Sequence, residues 1–363
     1  MPKFNILVAS YTNSIVTLEF DSDAASLLAT ASLDVGHHPS WIAGHPKDTS
    51  LVVTGLEQAD GRIVTIRYDL ANGKGSVVSE APSGGQDPCS LLVDATDNEV
   101  LVANYSSGNI YVAPISTQEP FVSQFGYSVG FSGSGPDKAR QADGPHPHQV
   151  IFHPEYPELL VPDLGVDVVR RLKRDATTKQ WTPAGHIGFE LGGGPRHVAF
   201  HDGDLFTLLE LSSKVVRHRL PPLPQLPKFI ASAATLSSPP PKPHDMIAAE
   251  IHIPKPNATF PTAYLYISNR NDPSPEGDSI SIFAIDDPEA PLTLIAEVRT
   301  GLKHVRGMEF FGPHSRYLIA GGGRGGGVKV FERVDGGRGL KAVAESATVE
   351  APTGFLILQE YST

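Results

Sequence analysis

Apolar runs of strand length alternate with polar, Gly- and Pro-rich punctuation along the chain, and the runs come in sets of three. "DPCSLLVDATDNEVLVANYSSGNIYVAPI" (from Asp87) and "HPHQVIFHPEYPELLVPDLGVDVVRRLKRD" (from His146) share this arrangement. So do "GPRHVAFHDGDLFTLLELSSKVVRHRL" (from Gly194) and "VRGMEFFGPHSRYLIAGGGRGGGVKVFERV" (from Val305). In each, a strand and a turn lead to a second strand ending in small or polar residues, then to a turn and a third strand. The segments from His38 and from Ala248 fit too, the latter with longer turns. A period of roughly 45–60 residues predicts propeller blades.

The two ends complete the count. Asn5–Phe20 holds a second and a third strand without a first, whereas Ala351–Tyr361 holds a first strand without successors. Pairing them predicts an all-β, seven-bladed β-propeller spanning 1–363 as one domain, its ring closed between the N-terminal strands and the C-terminal strand. Weaker segments such as "KQWTPAGHIGF" and "LTLIAEVRT" read as outermost strands. Residues 126–144 and 221–245, rich in Gly, Pro, Ser and charge, read as surface-loop insertions, because the repeat continues in phase on either side. "GGGRGGG" around Arg324 reads as a turn between strands; a phosphate-cradling loop would need a following helix, and none follows.

Composition narrows the function classes. Thirty-five glycines and 32 prolines suit many tight turns. A net charge of −11 argues against broad nucleic-acid or anionic-membrane binding, while leaving room for a local cluster of arginines. The single cysteine, Cys89, excludes an internal disulfide framework and a multi-cysteine zinc site. "MPKFNILVASYT" lacks the features of a signal peptide, and no stretch has the roughly 18 apolar residues needed to cross a bilayer, so a cytoplasmic location is expected.

Topology then says where polar residues converge. The first strand of a blade lines the central channel and its hairpin partner returns to the starting face. The start of strand one and the end of strand two therefore share one rim. Those positions carry His146, His148 and Asp163; Arg196, His197 and Glu210; Glu250, His252 and Arg270; and His304 and Arg306. The first two copies add His38 with Glu57 and Cys89 with Asn104. His153 and His201 fall at the opposite ends of their strands and read as turn residues.

"HPHQVIFHP", "VPDLG", "GPRHVAFH", "LLELSS", "YLYISNR" and "RGMEF…SRYLIAGG" together resemble the seven-bladed propeller lactonase family. That family includes the propeller-type 6-phosphogluconolactonases and the fungal carboxy-cis,cis-muconate cyclising enzyme, a cycloisomerase, and the likeness extends over nearly the whole chain. The resemblance implies a cofactor-independent active site of His148, Arg196, Glu210 and Arg270; by their place on the same rim, His146, Asp163, His197, Glu250, His252, His304 and Arg306 are expected to bind substrate. "PRH" and "HPHQ" look closer to the phosphogluconolactonase branch. The Pro-rich insert and the "RNDPSPEGDS" turn depart from the shorter bacterial pattern.

The expected reaction is hydrolysis of a small anionic sugar lactone, with muconate cycloisomerisation on a carboxylate substrate the alternative and a non-catalytic binding platform the third reading. Either His148 or Glu210 can serve as general base, and Arg196 and Arg270 can hold an oxyanion or a substrate anion. A metal on His146 and His148 is disfavoured by Pro147 between them and by the arginines nearby. Cys89 has no base paired with it in sequence and reads as inert. The Gly-His…Trp-Asp repeat of scaffold propellers is absent.

Overall fold

The computed structural model describes residues 2–239, 245–287 and 291–362. Its strands form seven four-stranded antiparallel sheets arranged as blades. The inner strands carry the β-branched and aromatic runs and are buried on both faces, as in Asp204–Leu209. The outermost strands face solvent on one side and alternate accordingly, as in Tyr127–Gly130. Among the described residues no helix is long and apolar enough to cross a membrane.

Strand Pro352–Ser362 is the innermost strand of the last sheet and pairs antiparallel with Pro2–Ser10, which continues through Ser14–Asp21 to Ser26–Asp34. Sequence ends thus share one blade. Phe4 and Phe20 from that blade pack edge-on against Phe311 and Tyr317 of the preceding one, all four buried. Each such side chain contributes about 1.5–3 kcal/mol by leaving water. Similar apolar clusters fill the other blade-to-blade interfaces.

The two proposed insertions are more structured than their composition suggests. Tyr127–Gly130 is the outermost strand of the blade beginning at Pro88, and Lys228–Ala234 the outermost strand of the blade beginning at Pro195. The rest of each segment is loop; residues 240–244 lie outside the described residues. Gln141 anchors the first loop: its Nε2 donates to Leu164 O and to Asp167 Oδ1, both at 2.7 Å. That anchor draws the neighbouring residue, Arg140, over the channel mouth.

Candidate active site

Local irregularity aims the functional side chains. Pro147 cannot donate to a ladder, so the innermost strand of its blade is only Ile151–Phe152, and the preceding segment is held by a single bridge between Pro147 and Asp163. His148 N donates to Pro162 O at 2.9 Å, which leaves its ring over the channel. A register shift between Pro195 and His197 takes Arg196 out of the ladder and turns its side chain inward. Glu210 follows strand Asp204–Leu209, and its N–H donates to Gly194 O at 2.8 Å. Arg270 ends strand Tyr264–Arg270.

These four groups meet in the floor of a cavity of about 1150 Å³. Arg196 Nη1 donates to His148 Nε2 at 2.6 Å and to Glu210 Oε2 at 2.5 Å. Arg270 Nη2 lies 3.0 Å from Glu210 Oε2 and also donates to Ala248 O at 2.9 Å. Arg140 Nη2 reaches Glu210 Oε1 at 2.9 Å. One fully buried carboxylate therefore holds three guanidiniums. Arg306, over the Tyr11 ring at 5.0 Å, pairs with Glu57 at 3.3 Å. Four arginines facing two carboxylates make the floor cationic within a chain that is acidic overall.

Electrostatics assigns protonation states. Burial alone would raise the Glu210 pKa, but Arg270, Arg196 and Arg140 overcome it and hold the carboxyl well below its usual range. Burial, reinforced by the Arg196 charge, holds His148 well below the ordinary imidazole value, so it is neutral at neutral pH. Its Nε2 faces an obligate donor, which makes that nitrogen the acceptor and puts the proton on Nδ1. Burial brings Arg270 down to about 9, still charged at neutral pH. Cys89 lines the same floor, but burial pushes its thiol up to about 12, where no thiolate is available.

Of the seven rim residues expected to bind substrate, His304 and Arg306 line the cavity and five do not. His146 stacks on Tyr105 at 4.2 Å, and both its ring nitrogens face oxygens, Tyr105 O at 2.9 Å and Asp143 Oδ1 at 3.0 Å. Asp163 is consumed by the turn: it accepts from the N–H groups of His146 and Gly165 and from Arg170 Nε. His197 Nδ1 donates to Glu250 in a buried pair one layer beneath the floor. Glu250 and His252 line a separate, deeper space of about 330 Å³ in the channel. The rim rule fails for these five because it fixes height along the strand and not which way a side chain turns.

The same rule could have found residues it was not applied to. Tyr11, Tyr105 and Asn271 directly follow second strands, Arg324 is near the end of another, and all four line the cavity. Arg140 carries no such signal, since it sits on an aperiodic loop. His153 accepts from the N–H groups of Glu155 and Tyr156 in a turn, and His201 ends its strand at the other face. Among the described residues no three His, Cys, Asp or Glu side chains converge as a metal site.

Comparison with known proteins places this arrangement. The chain is 27% identical over 346 residues to a 6-phosphogluconolactonase of Bacillus subtilis, the match covering 92% of each. It is 26% identical to a 6-phosphogluconolactonase of Formosa agariphila, covering 90% of this chain and 92% of the other. A solved protein of Bacteroides fragilis superposes with TM-score 0.83 at 24% identity, over 98% of both chains. A periplasmic gluconolactonase of Pseudomonas aeruginosa gives 0.82 at 20% identity, over 98% of this chain and 99% of that one. The sequence profile of the family described as "Lactonase, 7-bladed beta-propeller" matches residues 5–357. With so nearly complete a match, the chain belongs to the seven-bladed β-propeller lactonase family.

Proposed function

We propose that the protein hydrolyses a small anionic sugar lactone, with 6-phosphogluconolactone as its substrate. The observation that carries this reading is the contact of a neutral histidine with a carboxylate-anchored arginine at the cavity floor. The similarity to proteins named 6-phosphogluconolactonase supports the choice of substrate.

The residues divide the work as their environments dictate. Glu210, held strongly acidic by three arginines, is a poor base and acts as the anchor that orients them. His148 keeps a lone pair on Nε2 and is the base. Substrate whose carbonyl oxygen takes over the Arg196 guanidinium frees Nε2 for a water. That water attacks the carbonyl carbon and gives its proton to Nε2, while the oxyanion is met by Arg196 and Arg270. Collapse of the intermediate breaks the ring C–O bond, and the proton on His148 passes to the departing ring oxygen, leaving the hydroxy acid. The imidazolium formed in between is opposed by burial and the Arg196 charge, and the nearby Glu210 carboxylate offsets part of that cost.

Hydrolysis of 6-phosphogluconolactone by the purified protein, assayed beside cyclisation of carboxymuconate, tests the proposal. Turnover of the lactone and its loss in Arg196→Ala support it; cyclisation without hydrolysis sinks it.

A further inference from the structure

The cavity extends well above its floor, and the upper wall carries a second cationic group. Lys303 and Arg324 come from the two inner strands of one blade, Lys303–Phe311 and Tyr317–Gly325, with Lys303 directly opposite Gly325. They differ from the floor arginines in how their charge is used. Lys303 Nζ donates to a backbone carbonyl, Ser274 O at 2.6 Å, and Arg324 Nη1 to the neutral Asn271 Oδ1 at 3.3 Å. Neither forms an ion pair with a carboxylate among the described residues, whereas Asp272, beside them on the wall, is already paired with Arg299.

The backbone that presents this pair is specialised. Gly325, Gly326 and Gly327 have φ of +144°, +88° and +66°, and a Cβ on Gly322 would lie 2.0 Å from Gly325 O. Arg324 is the single side chain on this glycine turn. On the facing strand, His304 holds φ +63° because the buried Asp278 carboxylate accepts its N–H and that of Val305. His304 Nδ1 donates to the same Asn271 Oδ1 at 2.8 Å. Asn271 is the residue after Arg270, so the wall group sits one residue outward from the floor site. An imidazole between two cationic groups stays neutral, and His304 is brought down to about 3 by burial and then by Arg270, Arg324 and Arg306.

We propose that Lys303 and Arg324, braced by Asn271 and His304, form an anion subsite that holds the phosphate monoester of the substrate while its lactone ring occupies the floor. Two cations that pair with no carboxylate among the described residues, although Asp137 and Asp245 line the same cavity, suit a dianion better than a monoanionic carboxylate, and a guanidinium takes phosphate oxygens in bidentate fashion. This inference rests on the sugar-lactone reading above.

Calorimetric titration of the intact protein with 6-phosphogluconate and with gluconate, at low ionic strength, tests it. The parent protein is expected to prefer the phosphorylated acid by about tenfold or more, and Lys303→Gln/Arg324→Gln to lose most of that preference. The ratio of kcat/KM for 6-phosphogluconolactone over glucono-δ-lactone should fall by the same factor, with Arg324→Lys recovering part of it. Equal affinity of the parent for both acids, or a preference that survives in the double variant, overturns the subsite. Selective binding of 6-phosphogluconate with no hydrolysis of either lactone sinks the hydrolase reading and sustains the subsite. Hydrolytic selectivity for the phosphorylated lactone that is untouched in the double variant does the reverse.

Discussion

Replacing Glu210 with glutamine keeps the shape of the side chain and removes the charge that three arginines share. Contacts of 2.5, 3.0 and 2.9 Å to Arg196, Arg270 and Arg140 would each lose their Coulombic part. Taking one partner from a buried ion pair costs about 3–5 kcal/mol, because the other charge stays behind. Unfolding entropy is about 2.1 cal/mol/K per residue, or about 0.8 kcal/mol/K for 363 residues. The expected fall in Tm is therefore about 4–7 °C. The folded Glu210 pKa lies below its unfolded value, so its stabilisation is present above about pH 4.5 and disappears only as pH falls through the folded pKa. The difference between parent and Glu210→Gln should thus hold from pH 8 to pH 5. Added phosphate should restore more stability to the variant than to the parent, up to about 2.7 kcal/mol at a hundred times its dissociation constant. Catalysis should drop about 10²–10³-fold, the usual consequence of losing one oriented oxyanion donor. Thermal melts at several pH values, with and without phosphate, and initial rates supply the data. A variant melting within a degree of the parent, at full kcat, would refute the reasoning, since the guanidiniums would then be organised by something else.

Three further outcomes follow from the same geometry. His148→Gln should lower kcat/KM about 10²–10⁴-fold in initial-rate assays, and a variant retaining the parent rate would remove His148 as the base. His148 and His197 both have folded pKa values below the unfolded 6.5, chiefly through burial, so stability should decline as pH drops below about 6.5. The slope is up to about 1.4 kcal/mol per pH unit for each, measured by urea denaturation between pH 7.5 and 5; a His148→Gln/His197→Gln protein with the parent's slope contradicts it. Arg140→Ala, at a half-exposed position, should change stability by less than about 1 kcal/mol yet reduce kcat/KM about tenfold, which separates its role at the site from a structural one.

Blade number and ring closure were readable because inner strands are buried on both sides and announce themselves as apolar runs. The outer strands Tyr127–Gly130 and Lys228–Ala234 were not, because a half-exposed edge strand has the composition of the loops around it. Floor residues were readable for a related reason: His148, Arg196, Glu210 and Arg270 sit at strand ends, where topology fixes their height. His197 and Glu250 occupy equivalent positions in sequence, yet they turn to each other beneath the floor. Register shifts near Arg196 and between Ala248 and Ile251 decide such orientations, and neither leaves a mark in residue type. Arg140 depends on the tertiary anchor between Gln141 and Asp167, which no local pattern encodes.

The shared blade also has a consequence for biosynthesis. Strand Pro2–Ser10 emerges from the ribosome long before its partner Pro352–Ser362, with all the other strands of the ring between them. Until that partner is made, strand Pro2–Ser10 keeps one row of backbone donors and acceptors open to any neighbouring chain. Assembly by addition of blades during translation therefore cannot end in a sealed ring until Pro352–Ser362 is released, and the nascent chain depends until then on being kept apart from its copies.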